Sequence, residues 1–468
     1  MPEWEPVIGL EIHVQLKTRT KMFCRCENIF GGEPNTRTCP VCLAHPGALP
    51  VPNERAIEWT VKLGLALDCT IAERAVFHRK NYFYPDNPKG YQISQYDEPL
   101  CTDGAMVVPG PNGDANVGII RAHLEEDAAK TIHVGGATGR IVGAAHSNVD
   151  FNRGGTPLVE IVTQPDIRSA EEAKRFLQLL RQTIVELGIS DAEMEKGTLR
   201  ADANVSVRER GETGFRTRAE LKNMNSFNHI ARGIDAEIRR QVGVWESGGE
   251  VVQQTLDYEV KSDTVTVRRR KEEADDYRYF PEPDLVPLEP SRELVDRLRD
   301  ELPELPGERI RGLAELVGFD AALDLVSTGN ERKARLLAEH GLDWTTAANV
   351  AMNQLAAIDP LPENAPALVA VIKARELIPR DRLTASLASS ATVLIDPEEV
   401  LAETVVADTS ELEPLVDRIL ESSPAQVESY RGGKQGVLGF FVGQVMKETH
   451  GKADPRVVNE LLRKKLDA

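Results

Sequence analysis

The sequence predicts an α+β fold, with a mixed α/β part followed by an all-helical part. Polar and apolar residues alternate at 11–16 and again at 202–208, which is the period of a half-buried strand. After residue 290 the chain becomes rich in Leu, Ala, Glu and Arg with helical spacing. Strands that precede a run of helices are typical of an α+β protein.

One clear helix is predicted between the two alternating runs. Ser169 and Glu172 have the spacing of a capping box, and Gly188 follows the last turn. The apolar positions recur on one side with the helical period, and we interpret them as core: Ala173, Phe176, Leu177, Leu180, Ile184 and Leu187.

Two to four domains are expected, because 468 residues exceed the usual size of one core. The segment 281–290 holds four prolines, which favours a stiff, extended linker. A second change in composition lies near residues 395–410. We therefore predict a mixed α/β domain over 1–290, a helical domain over 291–395 and a helical tail over 396–468.

The overall charge argues against general binding to polyanions. The formal net charge is −18, so a nucleic acid would have to meet a local basic patch. The N-terminus lacks the pattern of a signal peptide, and no long apolar run predicts a membrane span. We expect a cytoplasmic protein with no membrane partner.

Acidic residues and one histidine predict a cation site. Glu11 and His13 lie on the same face of a strand, about 6–7 Å apart, and Glu160 interrupts an apolar run where an unpaired charge is costly. Glu125 and Glu126 would face opposite ways on a strand, so only one would enter a shared site. Taken singly, Glu125 also fits a surface acid and Glu160 a core ion pair. Carboxylates with one imidazole suit Mg²⁺ better than Zn²⁺.

The segment 78–95 combines cations, aromatic rings and amides. Such a mixture can neutralise phosphates and stack a base or sugar, which indicates a nucleotide or nucleic-acid site. The sequence contains neither a Walker A pattern nor a strand–GxGxxG–helix fingerprint. Any use of ATP would therefore follow another binding mode.

Four of the six cysteines cluster at Cys24, Cys26, Cys39 and Cys42. Four thiolates suit Zn²⁺, and the second pair has the usual spacing while the first is one residue tighter. Unligated thiols are the alternative. We predict a structural zinc knuckle over residues 24–42.

The tail reverses the charge of the chain. Residues 431–468 hold eight Lys or Arg and four acids, for a local net charge of +4. A helix is predicted to start at Asp454-Pro455, with a buried side formed by Val457, Val458, Leu461 and Leu462. The basic excess fits either a polyanion site or a solvated helix.

Several motifs together resemble one known family, the B subunit of aspartyl/glutamyl-tRNA amidotransferase. They run in family order along the chain: VIGLEIHVQL at 7–16, the segment 78–95, RAHLEEDAAK at 121–130, DFNRGGTPLVEIV at 150–162, LRADANVSVR at 199–208, AELKNMNSFN at 219–228, DDYRYFPEPDL at 275–285 and GFFVGQVMK at 439–447. The resemblance weakens between about 310 and 400, which leaves the tRNA contacts of the helical domain open.

The resemblance implies a cradle-like α/β domain that binds ATP and Mg²⁺, then helical and tail domains. The implied reaction phosphorylates the side-chain carboxylate of Glu or Asp misacylated onto tRNA(Gln) or tRNA(Asn). Ammonia then displaces phosphate, which makes the enzyme a carbon–nitrogen ligase with glutamine as amido donor (EC 6.3.5.-). The chain lacks a glutaminase motif, so the implied partners are a glutaminase A subunit, a small C subunit and, further, a non-discriminating aminoacyl-tRNA synthetase.

The resemblance also suggests roles for single residues. Mg²⁺ is assigned to Glu11, His13, Glu126 and Glu160, with Glu125 as the competitor of Glu126. Phosphate neutralisation is assigned to Arg79, Lys80 and Lys89. The pocket is assigned to Tyr82, Tyr84, Ser94 and Gln95. Positions near the site or the ammonia exit are assigned to Asp202, Asn204 and Lys222.

Two rival functions remain at this point. One is a zinc-stapled tRNA-binding scaffold without chemistry, which would not need Glu11, His13 and Glu160 to converge. The other is a free-standing ligase that uses ammonia directly and needs no A subunit.

Overall fold

The computed structural model describes residues 3–135, 141, 143–270, 276–357, 365–373, 409–449 and 453–467. Contacts between Cα atoms group the chain into two units, Met1–Arg311 and Gly312–Ala468. The predicted boundary between residues 395 and 396 lies outside the described residues, so the three-domain division stays a prediction. The mixed sheets and the helical C-terminal region confirm the α+β class.

The strands belong to the first unit. They are β1 Trp4–Gln15, β2 Thr70–Ile71, β3 Phe77–Asn81, β4 Tyr91–Gln95, β5 Cys101–Val108, β6 Ala115–Glu126, β7 Lys130–Val134, β8 His146–Asp150, β9 Pro157–Thr163, β10 Leu199–Glu209, β11 Ala219–Lys222, β12 Gln254–Glu259, β13 Thr264–Arg270 and β14 Phe280–Pro281.

The helices follow in chain order. Those of the first unit, with one that crosses its boundary, are α1 Glu54–Ala66, α2 Ala170–Glu186, α3 Phe227–Glu246, α4 Arg292–Asp300 and α5 Pro306–Val317. Those of the second unit are α6 Phe319–Ser327, α7 Glu331–Glu339, α8 Trp344–Asn353, α9 Ala365–Lys373, α10 Thr409–Glu421, α11 Pro424–Arg431, α12 Leu438–Glu448 and α13 Pro455–Leu466.

A nine-stranded sheet forms the centre of the first unit, in the order β13-β12-β11-β10-β1-β9-β6-β5-β2. The alternation predicted for 11–16 and 202–208 is confirmed, because the apolar residues of both runs are buried: Ile12, Val14, Leu16, Ala203, Val205 and Val207. The two strands, β1 and β10, pair antiparallel. Helix α3 covers the apolar face, where a Cβ added at Gly233 would lie only 3.4 Å from the side chain of Tyr258. The polar residues of the central strands are thereby left on the other face.

The predicted helix over 169–188 is also confirmed. The Ser169 side chain accepts a hydrogen bond from the Glu172 amide at 3.1 Å, and Gly188 has a positive φ of 72°. Its stripe is core: Phe176, Leu177, Leu180 and Ile184 are all fully buried.

A small sheet in the order β14-β3-β4 stands beside the large one. Pro281 pairs with His78 and Leu288 pairs with Ala75, so the segment 281–290 is not a free linker. It is not extended throughout, because a turn over 283–285 separates the two pairings. The buried carboxylate of Glu282 holds this segment against β3, because it accepts hydrogen bonds from both Nε and Nη2 of Arg79 at 2.7 Å.

The second unit contains helices with separate apolar clusters. One cluster joins α7, α8 and α9 around Leu337, Val350 and Leu368, and another joins the tail helices around Phe441 and Leu462. Among the residues that the structure describes, no helix combines the length and apolar character needed to cross a membrane.

The tail prediction is confirmed in its helical details. Asp454 caps helix α13 by accepting from the Arg456 amide at 2.7 Å. Val458, Leu461 and Leu462 are buried, while Val457 packs against the same cluster. The basic residue Lys452 lies outside the described residues.

Candidate active site

A row of ionisable side chains crosses three neighbouring strands of the large sheet. His13 on β1 pairs in register with Glu160 on β9, and Glu160 pairs with His123 on β6. Glu11 and Glu125 lie two residues away along β1 and β6, on the same face. Antiparallel pairing thus brings together residues that are far apart in the sequence.

The distances within this row are short. The Nε2 atom of His13 lies 3.4 Å from Glu160, 3.8 Å from Glu11 and 3.9 Å from Glu125. His123 is 3.9 Å from Glu160. Ligand atoms of Glu11, His13 and Glu160, and likewise of His123, Glu125 and Glu160, lie within 4.8 Å of one another. We name these five residues the carboxylate–histidine cluster.

The two buried carboxylates of this cluster have opposite electrostatic behaviour. Burial, and then the neighbouring Glu160, raise the pKa of Glu125 to about 7. Burial also opposes ionisation of Glu160, but His123 and His13 outweigh it and hold the pKa of Glu160 below its usual range. Burial lowers the pKa of His123 to about 4, so this imidazole is neutral at pH 7. Concentrated negative charge of this kind favours a bound cation.

The structure corrects the choice between Glu125 and Glu126. Glu126 faces away from the cluster, because adjacent residues of a strand point to opposite faces. Its carboxylate pairs with Lys89 and accepts the amide of Ile93 at 2.9 Å. The set Glu11, His13, Glu126 and Glu160 is therefore not assembled. Glu11 and His13 converge on Glu160, and Glu125 converges on Glu160 together with His123.

Two of the three predicted phosphate-binding cations are already neutralised. Arg79 is held by Glu282 and Lys89 by Glu126, so their role in binding phosphate stays a prediction. The Nζ atom of Lys80 lies 5.0 Å from the centre of the Tyr277 ring, and no described carboxylate lies within ion-pair distance of it. Burial opposes its charge, but the nearby Glu125 raises the pKa of Lys80.

An open cavity of about 560 Å³ adjoins Lys80. It is lined by Tyr82 and Tyr84, as the sequence suggested, and by the ring of Phe83, which is 90% exposed. The other two predicted pocket residues lie deeper: Ser94 donates to Glu125 at 3.1 Å, and the Gln95 side-chain oxygen accepts the amide of Leu124 at 3.1 Å. Ser94 and Gln95 therefore hold β4 against β6 and do not line this cavity.

A second polar row adjoins Glu11. Glu11 pairs in register with Asp202, whose carboxylate contacts Lys222, and Lys222 also lies 3.0 Å from Glu220. Burial opposes the charge of Lys222, but Asp202 and Glu220 outweigh it and raise the pKa of this lysine. Asn204 lines a small cavity of about 90 Å³ with Glu11 and Glu220. The three predicted residues of this region are therefore next to the cluster.

Sequence reasoning missed several neighbours of the cluster. His123 could have been found, because it lies two residues before Glu125 and so shares its face on a strand. Asp127 is buried, and its carboxylate accepts hydrogen bonds from the side chains of Gln15 at 2.6 Å and Arg200 at 3.1 Å. No spacing rule predicts these partners. Arg121, at 3.5 Å from Glu160, also escaped notice.

The four clustered cysteines converge as predicted. The sulfur atoms of Cys24, Cys26, Cys39 and Cys42 lie within 4.8 Å of one another, and all four are free thiols. The amide of Cys39 donates to the sulfur of Cys42 at 3.2 Å. Amide donors of this kind stabilise thiolates, so the donor set fits a structural metal ion.

Comparison with known proteins agrees with this geometry. The family model described as the GatB/GatE catalytic domain matches residues 6–296, and the GatB domain matches residues 362–466. The chain belongs to the GatB family. The catalytic-domain match spans the carboxylate–histidine cluster, the small sheet and the cysteines.

Full-length GatB relatives are similar over nearly the whole chain. The B subunit of the aspartyl/glutamyl-tRNA(Asn/Gln) amidotransferase of Syntrophotalea carbinolica is 44% identical, covering 99% of this chain and 98% of the relative. The protein of the same name from Halorhodospira halophila is 46% identical, with 99% of each chain covered. That of Frankia casuarinae is 46% identical over 100% of this chain and 96% of its own. The resemblance inferred from the motifs is thus confirmed.

Proposed function

We propose that this GatB protein is the ATP-dependent transferase component of a tRNA-dependent amidotransferase. Its substrate is the side-chain carboxylate of Glu-tRNA(Gln), Asp-tRNA(Asn) or both. Phosphorylation of that carboxylate by ATP gives an acyl phosphate, and ammonia then displaces phosphate to form the amide. Activation is needed because a carboxylate is a poor electrophile and needs a better leaving group.

The carboxylate–histidine cluster is the observation that carries this proposal. Glu11, Glu125 and Glu160 supply hard oxygen ligands of the kind that Mg²⁺ prefers, and the raised pKa of Glu125 reflects burial and a repulsion that a cation would relieve. These three residues would hold Mg²⁺, and His13 lies beside them. When bound, the ion would neutralise charge on the transferring phosphoryl group.

Other residues of the chain would bind and orient the substrates. Lys80 is the motif cation that no described carboxylate neutralises, so we assign it to a phosphate group. Tyr82, Phe83 and Tyr84 offer aromatic surface for a base or sugar next to it. His123 is buried and neutral and contacts Glu160, so it orients that carboxylate.

The remaining components follow from the reaction. We assign the supply of ammonia to a glutaminase A subunit, because this chain contains no glutaminase motif, and the assembly of the heterotrimer to a small C subunit. The basic tail would bind the misacylated tRNA, and an aminoacyl-tRNA synthetase that forms this tRNA is a further candidate partner. We assign the protein to the cytoplasm, and Zn²⁺ to the four cysteines as a structural ion.

A variant of Glu11 tests this function against a scaffold role. The full chain, assembled with A and C subunits, should form ADP from ATP only with Mg²⁺ and misacylated tRNA. Glu11→Gln should lose this ADP formation while the glutaminase activity of the complex and its tRNA affinity persist. The exposed Glu250→Gln serves as the control. Unchanged ADP formation by Glu11→Gln would favour the scaffold.

Amidation with added ammonium salt distinguishes the proposed function from the remaining alternative, a free-standing ligase that uses ammonia directly. The wild-type chain without its A subunit should amidate misacylated tRNA only at high ammonium concentration. Efficient amidation by the isolated chain at low ammonium would instead identify a free-standing ligase.

A further inference from the structure

Lys21 is a buried cation that the proposed reaction does not use. The residue is 1% exposed, and lysine is rarely buried to this extent unless it is paired. Its Nζ atom donates to the carbonyl of Phe151 at 3.0 Å and contacts the sulfur of Cys42 at 3.7 Å. Across the part of the chain that the structure describes, no carboxylate lies within ion-pair distance of it.

The cysteine cluster supplies the missing negative charge. A zinc ion with four thiolate ligands carries a net charge of −2, and burying an uncompensated charge is costly. We propose that Lys21 is a positioning residue of the metal site, whose ammonium group neutralises part of this charge and thereby strengthens metal binding. This inference rests on the proposed zinc ion, but not on the proposed reaction.

Lys21 also links the knuckle to the active site. The amide of Met22, its neighbour, donates to the carbonyl of Gly155 at 2.7 Å, and the Cβ position of Gly155 would lie 3.4 Å from the side chain of Lys21. The segment that contains Phe151 and Gly155 leads directly into strand β9, which carries Glu160. The charged Lys21 contact therefore joins the metal site to the segment that sets the position of Glu160.

Additional hydrogen bonds attach the knuckle to this segment. The amide of Arg37 donates to Asn152 at 2.8 Å, and the hydroxyl of Thr156 donates to Asn28 at 3.1 Å. Because these bonds persist without Lys21, its replacement should weaken metal binding without detaching the knuckle.

The test compares Lys21→Met with Lys17→Met, an exposed lysine paired with Asp191. Both full chains are loaded with zinc, and the zinc affinity is measured by competition with a chelator. Lys21→Met should bind zinc more weakly by about tenfold or more, as is usual when a neighbour of a metal ligand is removed. Lys17→Met should match the wild type.

Unfolding with and without zinc separates a charge effect from a packing effect. With zinc, Lys21→Met should unfold more readily than the wild type. After zinc removal the −2 charge of the loaded site is absent and less negative charge faces the ammonium group, so Lys21→Met should lose less stability than it does with zinc. Equal destabilisation in both states, or failure to fold in both, would overturn the proposal. A wild-type chain that binds no zinc would overturn it too, while leaving the amidation assay unaffected.

Discussion

The two clusters of candidate metal ligands differ in how the chain assembles them. The cysteine cluster comes from one stretch of residues, 24–42, so all four ligands are close in the sequence. The carboxylate–histidine cluster takes residues from three strands, and only the register of the sheet brings them together. The first is a local staple with soft sulfur ligands, and the second is a distributed site with hard oxygen ligands.

This difference predicts what replacement of one ligand should cost in each cluster, either activity or stability. A distributed site on a rigid sheet can lose one ligand and keep its fold, because the strands are held by backbone pairing and a buried apolar face. A local metal staple stabilises the loop that contains it, because metal binding free energy contributes directly to folding. The predictions below test this contrast, from the largest expected effect to the smallest.

Replacement of Glu160 should abolish the reaction. Glu160→Gln keeps the size of the side chain but removes the charge that contacts His13 and His123. Loss of several kcal/mol of charge stabilisation corresponds to a decrease in kcat on the order of a thousandfold. Steady-state amidation with a thermal melt checks this, and a fully active, folded variant would contradict the assignment.

Replacement of a cysteine should act on stability instead. Cys39→Ser is expected to lower the free energy of unfolding by about 3 kcal/mol or more in the presence of zinc. Its kcat per folded molecule should stay within about tenfold of the wild type. Denaturant unfolding and amidation at low temperature measure the two effects. If removal of zinc from the wild type with a chelator leaves its unfolding curve unchanged, a stabilising role of the metal ion is excluded.

Arg79 is expected to contribute to the stability of the fold and not to the binding of ATP. Arg79→Met leaves the fully buried Glu282 without its partner, which is expected to cost about 3 kcal/mol of unfolding free energy. The KM for ATP should not change where the variant is folded. Arg74→Met, which breaks an exposed pair with Glu98, is the matched control and should cost less than about 1 kcal/mol. A raised KM for ATP with undiminished stability would restore the phosphate role.

Replacement of Glu125 and replacement of its neighbour Glu126 should have different effects on the phosphorylation step. Glu125→Gln is expected to reduce ADP formation by about tenfold to a hundredfold, because it removes the charge of a proposed Mg²⁺ ligand that lies 3.9 Å from His13. Glu126→Gln lies on the other face and can still accept the amide of Ile93, so it should retain ADP formation. The reverse result would reinstate the original choice of Glu126.

The sequence predicted the α+β class, the face shared by Glu11 and His13, and the cysteine group, because alternation and spacing are local properties. It predicted that only one of Glu125 and Glu126 faces the site, but not which one, because this depends on register with β9. It also could not show that a buried Glu282 neutralises Arg79, since the two lie 203 residues apart. Long-range pairing of charges is decided by tertiary structure.

The basic tail offers the smallest expected effect. Arg463 and Lys464 are exposed on helix α13, whereas Lys465 is paired with Asp417 at 2.6 Å. If the exposed pair contacts tRNA phosphates, Arg463→Gln with Lys464→Gln should reduce the slope of log Kd against log salt by about 2, or roughly one unit for each phosphate that is no longer neutralised. Lys465→Gln should change the slope less, because its charge is already neutralised. Filter binding across a salt series measures this, and equal slopes for all variants would assign the charge to a solvated helix.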